Sequence, residues 1–154
     1  MAALQIVSAT PDQAARLTEI VFAAKRHWGY PEKWIQGWRL ALTITPEYVA
    51  ANPCFAAKCD GLLVGFGALR FAIDGAWIDH MWVLPQAMGR GIGRQLFEAC
   101  EAEARRSGAK LLKIESDPNS VGFYQRMGAV EVSRIPPPIS DADRELPLME
   151  KILS

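Results

Sequence analysis

No Gly-Lys pair occurs anywhere in the 154 residues, which excludes a P-loop, whose phosphate cradle needs Gly-Lys followed by Ser or Thr. Cysteine is scarce. Cys54, Cys59 and Cys100 make an odd number with no Cys-x-x-Cys pair, so neither a disulfide framework nor a zinc site is expected. The two histidines, His27 and His80, stand far apart and give no metal-ligand spacing. Neither sign of charge is in surplus: 17 Lys and Arg balance 17 Asp and Glu. The basic excess that nucleic acid or an anionic membrane requires is therefore missing. No apolar run is long enough to span a bilayer, and the opening MAALQIV lacks the basic and long apolar regions of a signal peptide. These absences leave a cytoplasmic protein in a reducing compartment as the expectation, with no nucleic-acid, membrane or metal partner.

What is present is ordinary globular material. Half of the residues are hydrophobic and 22% are charged, in a length that suits one domain over residues 1–154. Residues 4–9 predict a first strand. Thr10 followed by Pro11 opens a helix whose apolar face is Ala14, Leu17, Val21 and Ala24, and Gly29 and Pro31 stop it. Residues 32–42 predict a second helix with Trp34, Ile35, Trp38 and Leu42 on one face, and Thr45-Pro46 opens a third. Strands over 54–59, 62–71 and 76–84 are separated by Asp60-Gly61 and Asp74-Gly75. Asp-Gly between apolar runs predicts a tight turn with positive φ at both positions. Gly65 and Gly67 inside the middle strand predict a bulge or a close backbone approach. A helix over 91–107 carries Ile92, Leu96, Ala99 and Cys100 as its stripe and ends at Arg105, Arg106 and Gly108. A strand at 110–116, a short helix at 119–128 and strands at 129–135 and 146–153 complete the chain, Pro147 marking an edge or a strand start. Strand, helix, strand over 76–116 makes a parallel crossover, so the fold class is α/β (α+β), with a mixed sheet.

The segment PQAMGRGIGRQL, 85–96, joins the strand WIDHMWVL to the long helix. A strand, a glycine turn and a helix start form an anion site: the first helical amides are unpaired and partly positive, and glycine lets the anion approach them. The dinucleotide fingerprint GxGxxG fails three times, because Leu96, Arg94 and Arg70 stand where the third glycine belongs. Met88-Gly89-Arg90-Gly91-Ile92-Gly93 instead resembles the acyl-CoA pyrophosphate loop of the GNAT N-acetyltransferase superfamily, which reads Arg or Gln, two residues, Gly, one residue, Gly or Ala. WVLP before the loop is similar to the family's Val-x-Pro at the end of the fourth strand, and DPNSVGFYQRMGA, 117–129, to its Asn…Phe-Tyr…Gly segment. The order of elements agrees over nearly the whole chain. Met88 departs from the pattern, which removes one side-chain contact and leaves the backbone amides, with Arg90 and Arg94 flanking the same turn.

The resemblance implies a GNAT-like, mostly antiparallel sheet of six to seven strands flanked by helices. It implies acetyl-CoA as co-substrate and acetyl transfer to an amine of a small molecule or peptide by direct attack on the thioester. Contacts to acetyl-CoA would come from Met81, Trp82 and Val83, from Met88 through Arg94, and from Asn119, Phe123 and Tyr124. A fourth-strand amide near Trp82 or Val83 would meet the oxyanion. A lysine-like amine must lose a proton, at about 4.6 kcal/mol for its neutral form at pH 7. Asp79 and His80 are the candidate bases; adjacent on a strand, they are expected on opposite faces, so that only one meets the acceptor. Each also has a structural reading, His80 as a core histidine bonded to a carbonyl and Asp79 as a structural hydrogen-bond acceptor. Tyr124 matches the family's tyrosine acid. A phenol near pKa 10 protonating a thiolate near 8.5 is uphill by roughly 2 kcal/mol, so donation of a hydrogen bond and full transfer both stay open. Asn119 resembles the asparagine that contacts the pantetheine arm, and it also suits a helix N-cap. His27, Trp28 and Tyr30, at the first helix break, are expected to touch the acceptor; Asp141 and Asp143 of the 136–145 loop would suit a cationic amine at its rim, but a solvated loop is the expectation there. A homodimer is a further implication. A non-catalytic acyl-CoA-binding module, or transfer with another donor or acceptor, would use the same loop.

Overall fold

The computed structural model describes residues 3–135 and 146–153. The 136–145 loop with Asp141 and Asp143 lies outside the described residues. The elements run β1 (Leu4–Ser8), α1 (Ala14–His27, led by a 3-10 turn at Pro11–Gln13), α2 (Glu32–Gly37), α3 (Arg39–Leu42), α4 (Pro46–Ala51), β2 (Cys54–Cys59), β3 (Leu62–Ala72) and β4 (Gly75–Val83). After the glycine loop come α5 (Ile92–Arg106), β5 (Leu111–Glu115), α6 (Val121–Arg126), β6 (Val130–Ile135) and β7 (Leu146–Ile152). One seven-stranded sheet, in the order β1-β2-β3-β4-β5-β7-β6, holds them together. Every pairing is antiparallel except β4 with β5, the expected crossover.

Strand alternation fixes the two faces. A Cβ on Gly65 would meet Leu96 Cδ1 at 3.3 Å and one on Gly67 would meet Cys100 Sγ at 3.1 Å, so these glycines are the close approach of β3 to α5. Phe66 and Ala68, between and beyond them, point to the other face, into the core formed with Leu17, Ile20 and Val21 of α1. Helix α5 buries Ile92, Leu96, Phe97, Cys100 and Ala104. The sequence stripe missed Phe97 and placed the half-buried Ala99 in its stead.

Two local expectations need correction. The helix expected over 32–42 is two, α2 and α3, broken at Trp38, whose ring turns edge-on to Tyr30 at 5.4 Å. Asp60 and Gly61 do take positive φ, 51° and 81°. In the second Asp-Gly only the glycine does: Ala72 pairs with Gly75, so the turn is Ile73-Asp74, and Gly75 opens β4 at φ 134°. Strand β7 is an inner strand, and Pro147 lies at its start, the second of the two placements expected for it. Its ring costs the ladder little, since it still accepts from Ser116 N–H through its carbonyl at 2.8 Å.

Candidate active site

Strands β4 and β5 pair only at Ala76–Leu112, Trp77–Lys113 and Ile78–Ile114. Beyond Ile78 they part, and a cleft of about 700 Å³ opens between them. Two hydrogen bonds set the phase of β4 along this gap. Leu84 N–H donates to Val64 O at 2.8 Å, and Leu69 N–H donates to Pro53 O at 3.0 Å. Antiparallel bonding alternates, so His80, Trp82 and Leu84 bond to β3, while the backbone groups of Met81 and Val83 point away from it, into the gap β5 has left. Of the two positions expected to supply an oxyanion amide, Val83 faces the gap and Trp82 does not; Met81 joins it.

The floor of the cleft is the glycine loop. Gly91 caps α5 in the left-handed region at φ 79°, and a Cβ built there has nothing within 4 Å. The first α5 amide with a carbonyl one turn back is Gln95 N–H, which donates to Gly91 O at 3.2 Å; the amides before it are the unpaired ones of a helix start. Arg94 lines the cleft beside them, whereas Arg90 does not. Every other residue expected to contact acetyl-CoA lines the cleft. This cradle of open space, free amides and one cation suits a pyrophosphate.

Asp79 is the extra residue of a β-bulge. Ala68 pairs with His80 but Leu69 pairs with Ile78, leaving Asp79 unpaired. The bulge cancels the alternation, so two sequence neighbours expected on opposite faces turn to the same side. Tyr48 of α4 touches both: its hydroxyl donates to Asp79 Oδ2 at 2.6 Å, and its ring stands edge-on to His80 at 5.5 Å. Arg70 Nε donates to Asp79 Oδ1 at 3.3 Å. Burial, and then the Asp79 hydrogen bond, raises the Tyr48 hydroxyl well above the ordinary phenol value, so it stays a donor. Burial lowers His80 below the ordinary histidine value, against the opposing pull of Asp79. Both Asp79 and His80 line the cleft. Tyr124 does too, only 5% exposed, with Phe123 and Phe97 rings at 5.0 and 6.2 Å. Burial raises its hydroxyl pKa, with the Cys100 and Asp117 charges adding to this.

The expected acceptor wall divides. Trp28 lines the cleft; His27 and Tyr30 do not. Tyr30 belongs to a buried network that sequence reasoning missed. Lys25 Nζ lies 2.9 Å from Asp117 Oδ2 and faces the rings of Trp38, Tyr30 and Trp82 at 4.6, 4.9 and 5.5 Å. Tyr30 donates to Asp117 Oδ1 at 2.9 Å, and Asn119 Nδ2 donates to Tyr30 Oη at 2.9 Å. Burial alone would raise Asp117, but the Lys25 charge and hydrogen bonds from Lys25, Asn119 and Tyr30 hold it below the usual carboxylate value. A signal was there: Lys25 follows Val21 by four residues and falls on the apolar stripe of α1. Nothing in the sequence marked Tyr48 or Arg70.

The profile of the "Acetyltransferase (GNAT) family" matches residues 16–129. The chain belongs to the GNAT acetyltransferase family. Acetyl-CoA is the co-substrate of that family. By sequence the chain is similar to an "IAA acetyltransferase" of Azospirillum brasilense, 34% identical over 77 residues, or 47% of this chain and 50% of that one. It is also similar to the peptidyl-lysine N-acetyltransferase YiaC of Escherichia coli, 28% identical over 66% of each chain. The chain thus spans half of the first relative's length. Among solved structures, a GCN5-related N-acetyltransferase of Rhodopseudomonas palustris superposes with a TM-score of 0.83 at 26% identity, over 99% of this chain and 98% of that one. The PaiA N-acetyltransferase of Thermoplasma acidophilum, in complex with coenzyme A, gives 0.81 at 20% identity over 98% and 99%. These neighbours share the seven-stranded GNAT fold found here. Among the described residues no helix is long and apolar enough to cross a membrane.

Proposed function

We propose that this GNAT-family chain is a single-domain, cytoplasmic N-acetyltransferase that moves an acetyl group from acetyl-CoA to an amine of a small molecule or peptide. The observation that carries the reading is the gap between β4 and β5, with the backbone of Met81 and Val83 turned into it and the glycine cradle, Tyr124 and Asp79 around it. Bound acetyl-CoA supplies an acetyl thioester already activated toward amines. The α5 amides and Arg94 hold the pyrophosphate, and Asn119 and Phe123 border the pantetheine arm. A backbone N–H of Met81 or Val83 stabilises the oxygen as it becomes negative. Asp79, kept in place by Tyr48 and Arg70, takes the proton the amine sheds, directly or through one water. Tyr124 donates its hydroxyl hydrogen bond to the departing sulfur. Its raised pKa favours donation over full proton transfer.

Direct attack is also favoured by the cysteines. None lines the cleft, and burial pushes Cys54 up to about 11 and Cys100 up to about 12, far from thiolates at neutral pH. The two relatives by sequence are named for unlike acceptors, so the reading stops at the amine. The test is calorimetry with acetyl-CoA, with ATP and NAD as controls, followed by a screen of amines against the bound complex. Selective acetyl-CoA binding and acetylated amine are expected. Absence of acetyl-CoA binding overturns the reading.

A further inference from the structure

His80 and Trp82 stand two apart on β4, so their side chains share a face. Trp82 Nε1 lies 3.0 Å from His80 Nδ1. An indole N–H can only donate, so the ring nitrogen opposite it accepts, with its lone pair spent in that bond. The neutral ring then carries its proton on Nε2. Phe66 of β3 packs on the ring at 5.9 Å and Tyr48 of α4 at 5.5 Å. The charged and titratable groups around it are Asp79 beside it, bonded to Tyr48 and Arg70, the Cys54 thiol of β2 near Asp79, and Lys25 of α1 beyond the Trp82 ring. No carboxylate or carbonyl among the described residues bonds Nε2, and the ring lines the cleft.

We propose that Trp82 is a positioning residue that locks His80 as a neutral Nε2–H donor, so that His80 gives a hydrogen bond into the cleft and Asp79 alone receives the acceptor's proton. This rests on the acetyl-transfer reading above. The balance is simple. The ammonium's first proton passes to the Asp79 carboxylate and on to solvent. The nitrogen lone pair then forms the C–N bond as the C–S bond breaks, the electron pair leaves on sulfur, and a second N–H proton ends there.

The chain has two histidines, so nitrogen NMR on protein labelled at histidine resolves them, with His80→Gln assigning the signals. An Nε2–H tautomer that persists from about pH 6 to 8 is expected for His80. Trp82→Phe should release the lock, bringing in the Nδ1–H tautomer and a titrating ring. In turnover, His80→Gln, whose amide donates but accepts no proton, should keep about ten-fold more activity than His80→Ala. An Nδ1–H or charged His80 in the wild type overturns the proposal, as does a Trp82→Phe spectrum equal to the wild type, or equal losses in both His80 variants. If Trp82→Phe fails to fold, the wild-type spectrum and the His80 pair decide. The spectrum needs no acetyl donor, so a chain that fails to bind acetyl-CoA sinks the acetyl-transfer reading and leaves the tautomer result on its own footing.

Discussion

Asp117→Asn removes a charge from the buried network and little else. The amide keeps the shape and can still accept from Tyr30 and from Asn119 N–H, which lie 2.9 Å away. Lys25, its side chain 7% exposed, loses the carboxylate at 2.9 Å. Removing one partner of a buried ion pair costs about 3–5 kcal/mol, because a charge stays behind in low dielectric. Three ring faces remain around the ammonium at 4.6, 4.9 and 5.5 Å. Desolvated cation–π contacts offset part of the loss, which puts the cost at the lower end, about 3 kcal/mol. For a chain of this length that is a Tm lower by about 6–12 °C. Because the Asp117 carboxyl lies below its ordinary 3.8, its contribution is fully present at neutral pH and is lost only as pH falls below that value. Urea and thermal unfolding at pH 7 are the assays, with Lys25→Met and the double variant completing a cycle. The double variant should regain most of the loss, since the buried ammonium is removed together with the carboxylate. A loss under about 1 kcal/mol for Asp117→Asn alone would place the pair with exposed ones and refute the argument.

Gly91→Val places an L side chain at φ 79°, at roughly 1–2 kcal/mol, with no protein atom within 4 Å of its Cβ. The fold should survive and CoA affinity should drop by about ten-fold or more, read by calorimetry; unchanged affinity in a folded variant removes the loop assignment. Tyr124→Phe should lower turnover by about 10²-fold with CoA affinity nearly unchanged, and wild-type turnover would show that Tyr124 is not the donor to sulfur. His80 lies below its ordinary 6.5 in the folded chain, so its neutral state stabilises the protein above that pH and the benefit fades as pH falls. Unfolding free energy should therefore decline on acidification below about 6.5, less steeply in His80→Gln. Parallel slopes for the two proteins would show that His80 does not carry the effect.

What the sequence made legible was whatever a local rule governs. The crossover, the glycine cradle and the close approach at Gly65 and Gly67 follow from turn chemistry, helix-end electrostatics and the size of a missing Cβ, and all are found. Failures came where partners distant in sequence decide. Helix α2 ends at Gly37, and the next residue, Trp38, lays its ring against Tyr30 and Lys25, partners that no window over 32–42 contains. The Asp79–His80 alternative rested on strict two-residue alternation, and alternation holds only while the register does. One inserted residue between the Ile78 and His80 pairings voids it. That bulge follows Ile78, the last β4 residue paired with β5. There it turns a carboxylate and an imidazole to the same side, within reach of one tyrosine from α4. Under the proposal above, the choice between two bases becomes a division of labour. Asp79 accepts hydrogen bonds from Tyr48 and Arg70 that hold its carboxyl group in place, and His80 accepts one from Trp82 that fixes its ring. Two neighbouring groups held by different donors are suited to different tasks in the acetyl-transfer reading proposed above, and the bulge is what brings both to one cleft.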